Sequence, residues 1–479
     1  MTNQSLQRRK RWEQLDNSLS SRIENLLEEF RKTYPKNDAS TKLILIAAPG
    51  RAEIIGNHTD YNEGLTISTN ISSNLLFLAR KRDDKKGRIR SLSQGNTVHK
   101  FTLNSVKDIE RKKSFHDYET WTNYVKGVVW GLMQKGFDIN GFDAIIESSI
   151  PVGAGVSSSA AIALATAHFI TEANKLTVDQ TTLIDVCKTA ENQYVGAPCG
   201  YLDQGTIELA DNSWLVISYK KEKNVPFTWK QVAMNLQKTG YTLIVGYDPS
   251  SKHSLVEGKY ELRKNACELS LRPIREILGE NTSALGELSV QDFEKIKNQL
   301  QRKIEQELTT NNDEKVLRFR LNKHWKKKSF KDIAKNVVQW VSHIVYEDER
   351  VSDAISALKR KDIKTFGELL SESGKSAIFG YELNEDSDEL SWVYTNALRN
   401  KNRWGVLGIR NMGGGFNATT LALVAMQYAD MYKNELSELY AKEFNSCYNF
   451  LEFTPSPSVG QLDLKHLPKT PKKEYSSNN

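Results

Sequence analysis

Three polar stretches of the chain hold the residues best suited to chemistry. In residues 151–161, PVGAGVSSSAA, a strand-like run meets two glycines, then three serines, then an alanine-rich run. Glycines let a backbone approach a ligand closely and turn its N–H groups inward. A helix starting at that point adds unpaired N–H donors and the positive end of its dipole. Serine hydroxyls add donors to phosphate or an oxygen ligand for Mg2+. A plain strand-to-helix turn needs only one serine as a cap, so three beside two glycines fit phosphate binding better. The stretch lacks GxxxxGK[ST], which excludes a P-loop, and reads GxGxxS, which leaves the dinucleotide fingerprint incomplete.

The second stretch, residues 190–204 (AENQYVGAPCGYLDQ), carries acids. Ile184, Cys187, Glu191 and Tyr194 share one face of a helix read over 181–195, so Glu191 sits on its apolar stripe. Buried carboxylates are rare unless paired or bound to metal. Beside a phosphate loop, Mg2+ ligation suits Glu191, because Mg2+ takes one or two protein oxygens plus phosphate oxygens. Asp203 follows a turn at 196–200 and could accept the proton of an acceptor hydroxyl. By spacing alone it is an ordinary turn aspartate. The third stretch, residues 48–64 (APGRAEIIGNHTDYNEG), gathers Arg51, Asn57, His58, Asp60 and Tyr61. Such density of donors and acceptors suits a sugar, and equally suits a polar surface loop.

The elements that must position these groups alternate between strands and helices, which indicates an α+β protein of two lobes. Residues 1–35 read as a polar helix. Residues 42–48 read as a strand ended by Pro49-Gly50. Residues 70–103 are strand-rich, with a turn near 83–87. An amphipathic helix is expected over 121–135, a strand over 142–150 and a helix over 160–173. Further strands are expected at 214–219, 241–247, 406–409 and 419–424, and helices at 253–278, 289–308 and 331–370. From about Thr454 a tail rich in Pro, Ser and Lys reads as disordered.

Composition narrows the class. The 479 residues are 39% hydrophobic and 26% charged, an ordinary globular balance. No apolar run reaches the roughly 18 residues of a membrane helix, and the N-terminal residues carry no leader pattern, so no membrane partner and no secretory leader are expected. Four scattered cysteines exclude a disulfide framework and the common zinc modules, and a reducing, cytoplasmic setting is expected. The net charge is +7. Residues 301–330 hold nine Lys and Arg against four Asp and Glu, and residues 461–479 hold four against two, which accounts for the excess. The rest is neutral, so a nucleic-acid groove running across the fold is disfavoured.

Taken together, the stretches resemble the GHMP kinase superfamily and, within it, the galactokinases. Residues 48–64 resemble the galactokinase signature, 151–161 the second motif and 408–424 (GIRNMGGGFNATTLALV) the third. Residues 121–128, 190–204, 253–268 and 350–373 continue the resemblance, in order, over about 30–455. It implies a bilobal fold, with a phosphate loop in an N-lobe (30–235) and a ferredoxin-like C-lobe (236–455) interrupted by a basic helical spacer near 275–340. Residues 1–29 would be a polar extension and 456–479 a disordered tail.

It further implies that ATP donates its γ-phosphoryl group to the anomeric hydroxyl of a galactose-type sugar. Asp203 would be the catalytic base and Arg51 the cation beside it. Ser159 and Glu191 would hold Mg2+. Gly153, Ala154, Gly155, Val156, Ser157, Ser158 and Ser159 would cradle ATP, with Trp121 near the adenine. Asn57, His58, Asp60, Gly200 and Tyr260 would line the sugar site. A monomer is expected. The family usually has Glu at the position of Asn57, and its third motif usually reads GGGFGG where this chain has Asn417 and Ala418. Asn57 in place of a carboxylate makes a C6 uronate permissible. Galacturonate, N-acetylgalactosamine and arabinose therefore stand as other acceptors, and a sugar sensor without turnover as another class.

Overall fold

The computed structural model describes residues 2–35, 42–95, 97–106, 121–151, 153–220, 225–250, 259–279, 282–385, 387–415 and 418–464. Two helices come first, α1 (Thr2–Leu15) and α2 (Leu19–Thr33), followed by strands β1 (Ile44–Ile55), β2 (Leu65–Lys81), β3 (Lys86–Ser91) and β4 (Val98–Thr102). Next come α3 (Thr122–Gln134), β5 (Phe142–Ser148), α4 (Ser158–Asn174), α5 (Gln180–Thr189), α6 (Leu202–Leu209), β6 (Trp214–Ser218), β7 (Thr228–Val232) and β8 (Tyr241–Tyr247). A helical region follows, α7 (Lys259–Leu278), α8 (Val290–Thr310), α9 (Glu314–Arg320), α10 (Phe330–Lys359), α11 (Ile363–Lys375), α12 (Asp388–Arg399) and α13 (Lys401–Trp404). The chain ends with β9 (Val406–Asn411), β10 (Thr420–Ala425), α14 (Ala429–Phe444), β11 (Asn449–Glu452) and β12 (Gly460–Leu462).

The first sheet runs β12-β1-β2-β5-β3-β4, with β6 and β7 attached through β2. β1 is buried along its whole length because both faces of the sheet are covered there. Along β1, Ile44, Ile46 and Ala48 face the main core with α3 and α4, while Leu45 and Ala47 face α1 and α2. The second sheet runs β11-β8-β10-β9 and is wholly antiparallel. In chain order this is the strand, helix, strand, strand, helix, strand plan of a ferredoxin-like unit. Its Leu243, Val245, Leu421 and Leu423 join the main core, and Ile244, Ala422 and Val424 face the helices of its other side. The two sheets therefore share one apolar interior, and the cleft opens where they meet.

Four expectations need correction. The N-terminal residues are not a polar extension. Leu19, Ile23, Leu26, Leu27 and Phe30 of α2 and Trp12 of α1 bury a stripe against Leu76, Leu78 and Ile145 of the first sheet. Pro49-Gly50 does not end the first strand. β1 continues to Ile55 with a register shift between Pro49 and Arg51, the kind of irregularity at which a sheet tolerates proline. The tail is not disordered from 456: β12 pairs with β1, and Val459 and Leu462 are buried; residues 465–479 lie outside the described residues. The spacer does not merely interrupt the second lobe, since Phe293, Ile296, Leu300, Ile304 and Leu308 of α8 are all in a core with α10.

Candidate active site

The phosphate-type loop is built by backbone alternation. Gly153, Gly155 and Ser157 have φ of 91°, 61° and 58°, with Ala154 and Val156 between them outside the left-handed region. Alternation of this kind turns successive N–H groups toward one side, making an anion-binding nest. Ala154 and Val156 anchor the turn in the core. Ser158 then opens α4, whose first-turn N–H groups have no helical partners of their own.

Asp203 lies in the first turn of α6, not on the loop before it. The loop's position comes from Asn192, whose side chain donates to the Cys199 carbonyl at 3.1 Å and accepts the Cys199 N–H at 2.6 Å. Arg51, on β1, donates from Nε to Asp203 Oδ1 at 2.7 Å and from Nη1 to the Gly155 carbonyl at 2.6 Å. Ser157 donates its hydroxyl to Asp203 Oδ2. The carboxylate is thus gripped from both sides at the mouth of the nest.

Glu191 lies on a π-helical turn, Ala190–Val195, that continues α5. Such turns recur at functional sites because they re-aim a side chain. Gln204 donates to Glu191 Oε2 at 2.7 Å, and the Ser159 hydroxyl also bonds this carboxyl. Burial, then the nearby Asp203, pushes the Glu191 carboxyl up to about 7. A buried acid so destabilised, with a serine hydroxyl beside it, is a donor set that suits Mg2+ shared with phosphate oxygens.

Opposite the nest, His58, Asp60, Gly200 and Tyr260 line the same cleft, whose volume is about 380 Å3. Asp60 packs against Gly200 so closely that a Cβ at position 200 would stand 1.8 Å from its carboxylate. This close approach requires glycine. Burial, followed by Asp203 and Glu53, pushes the Asp60 carboxyl up to about 7. His58 is buried, which holds its imidazole well below its usual pKa and hence neutral. Its Nε2 faces the Gly414 carbonyl at 3.2 Å and so carries the proton; Nδ1 accepts from the Tyr61 hydroxyl at 2.9 Å.

Two expected residues behave differently. Trp121 is outside the cleft lining, with its ring edge-on to His99 at 5.5 Å; Tyr124, one turn along α3, lines the cleft instead. Asn57 lines the cleft, but its side chain bonds to protein: Nδ2 donates to the Gly413 carbonyl and Oδ1 accepts from Asn411. In the third motif, Gly413 and Gly415 have φ of 65° and 72°. Ala418 is buried and is not left-handed, so the alanine is free of backbone strain there; Asn417 lies outside the described residues.

Sequence reading missed the supports. Glu347, on α10, accepts the N–H groups of Gly56 and Asn57 at 3.1 and 3.2 Å and the Ser373 hydroxyl at 2.6 Å. Burial opposes its charge, yet Arg350 and Arg410 hold its carboxyl well below the usual carboxylate range. Glu53 pairs with Arg410 at 3.0 Å, both buried. Their only local signal is a charge on an otherwise apolar face, which does not name a partner 290 or 357 residues away.

A phosphate nest at a helix start in one lobe, a ferredoxin-like second lobe and a glycine turn between them define a GHMP kinase, and residues 123–210 match the GHMP kinases N-terminal domain. Residues 28–81 match the galactokinase galactose-binding signature. The chain is 30% identical over 431 residues to a galactokinase from Clostridium acetobutylicum, covering 88% of this chain and 94% of that protein. It is 29% identical over 428 residues to a galactokinase from Fusobacterium nucleatum, covering 88% and 95%. The crystal structure of Lactococcus lactis galactokinase complexed with galactose superposes with a TM-score of 0.71 at 26% identity, over 92% of this chain and all of that one. Methanococcus jannaschii mevalonate kinase, 15% identical with a TM-score of 0.51 over 88% of this chain and 99% of its own, shares the fold. The chain belongs to the galactokinase family and is a sugar kinase, a phosphotransferase with an alcohol group as acceptor. Among the described residues no helix is long and apolar enough to cross a membrane.

Proposed function

We propose that the chain transfers the γ-phosphoryl group of ATP to the anomeric hydroxyl of galactose. The observation that carries this reading is the grip on Asp203 by Arg51 and Ser157, at the junction of the phosphate nest and the pocket of His58, Asp60, Gly200 and Tyr260. Residues 153–159 bind the triphosphate through N–H and hydroxyl donors. Ser159 and Glu191 would hold a Mg2+, which when bound supplies charge neutralisation on the phosphates. Asp60 and His58 bind and orient the sugar, and Asp203 takes the proton of its anomeric hydroxyl. Arg51 fixes the carboxylate's direction and stands where charge on the transferring group builds up. Phosphoryl transfer asks mainly for such positioning and electrostatics.

A uronate acceptor gains no support from the site. Among the described residues lining the cleft, Arg51 is the one cation, and it is engaged with Asp203. The deciding experiment is an ADP-release screen against galactose, N-acetylgalactosamine, arabinose and galacturonate. Galactose-dependent release with weak or no response to galacturonate is expected. No release with any sugar, despite nucleotide binding, would instead favour a sensor.

A further inference from the structure

We propose that Asn57 is a positioning residue that latches the sugar-side loop to the third glycine turn, and through that turn to the phosphate nest. Its side chain is 1% exposed. Nδ2 donates to the Gly413 carbonyl at 2.5 Å, and Oδ1 accepts from Asn411 Nδ2 at 3.0 Å. Asn57 follows β1 of the first sheet, whereas Asn411 ends β9 of the second, so the tie crosses between lobes. Gly413 abuts the nest: a Cβ on it would stand 3.5 Å from the Gly155 carbonyl.

The residue type follows from those two bonds. One end must donate and the other must accept, which an amide does and a carboxylate cannot. Aspartate or glutamate at 57 would set a buried negative charge against the Gly413 carbonyl and leave that oxygen without its donor. The tie sits within a series in step: Glu53 meets Arg410, Asn57 meets Asn411 and Gly413, and His58 meets Gly414. Asn57 therefore spends its polar atoms on the protein. Its expected effect falls on the nucleotide side of the reaction, not on recognition of the sugar's C6 group.

The direction of that effect rests on the kinase reading above; the latch itself rests on the contacts alone. Two measurements on the full chain separate them. Calorimetric titration with MgATP should show Asn57→Asp binding about tenfold more weakly than the parent, the usual worth of one such hydrogen bond. Asn411→Ala breaks the same tie without placing a charge at 57 and should weaken MgATP binding in the same direction. It also carries the test if Asn57→Asp does not fold. Hydrogen exchange without ligand should speed up at residues 412–415 in both variants. The ratio of kcat/KM for galactose over 6-deoxygalactose should stay within about twofold of the parent's. Parent-like MgATP binding in both variants would overturn the latch, as would a tenfold shift in that sugar ratio with nucleotide binding intact. A parent that binds no MgATP would sink the kinase reading, and unchanged exchange at 412–415 would still overturn the latch.

Discussion

At the residue scale, the site rests on carboxylates in unlike settings. Asp203 is ion-paired to Arg51, partly open to the cleft, and at the start of a helix whose dipole favours negative charge. Asp203→Ala should lower kcat by about 10²–10⁴-fold, the usual worth of a positioned proton acceptor, with a smaller change in sugar KM. Steady-state kinetics check this, and near-normal turnover would remove Asp203 from that role. Asp60 is half-buried near Asp203 and Glu53, and its carboxyl is raised to about 7. Its folded pKa lies above the unfolded value, so the folded chain binds the extra proton between those two pH values. Stability therefore falls as pH rises through about 7. Asp60→Asn should raise Tm at pH 8 by more than at pH 5, while impairing sugar binding. Equal shifts at both pH values, read by thermal melts, would count against a raised Asp60.

At the element scale, α10 decides where the sugar-side loop sits. Glu347 collects two backbone N–H groups, the Ser373 hydroxyl and Arg350, all in the interior. Removing one partner of a buried charged network costs about 3–5 kcal/mol, because the other charge is stranded. Glu347→Ala should lose about that much stability, and Glu347→Gln less, since it still offers an acceptor oxygen. In the Gln variant sugar KM should rise more than nucleotide KM, because the loop it supports carries His58 and Asp60. Denaturant melts and paired KM measurements test both statements. How this site arises was legible only in part. The nest could be read from PVGAGVSSSAA, and the stripe through Ile184, Cys187 and Tyr194 correctly put Glu191 inside. The π-helical turn that aims Glu191, and the Asn192 clamp on Cys199, follow from packing that no local pattern encodes.

At the scale of the whole molecule, the last described residues return to the first sheet. β12 covers the outer edge of β1, Ser456 donates its hydroxyl to the Ile71 carbonyl at 2.7 Å, and Arg9 of α1 donates to the Asp463 carbonyl at 2.7 Å. Ending the chain at Pro455 would expose Val459's and Leu462's packing partners, at about 1.5–3 kcal/mol for each buried side chain, and would open a sheet edge. A lower Tm and growth of larger species in light scattering are expected. An unchanged melt would mean that β12 adds nothing.

The sequence by itself determined the mixed α+β architecture, the glycine-built nest before α4 and the residues of three motifs, because period, glycine placement and side-chain chemistry are local properties. It singled out Arg51, Asp203, Ser159 and Glu191 without their mutual distances. Tertiary structure alone decided that Asn57 spends its amide on Asn411 and Gly413, that Trp121 yields the cleft to Tyr124, that residues 2–33 cover one face of the first sheet and that 460–462 add a strand to its edge. Each of those outcomes is a pairing between segments far apart in the chain. A buried polar atom takes whichever partner the fold brings within hydrogen-bond reach, and residue type and spacing do not specify that partner.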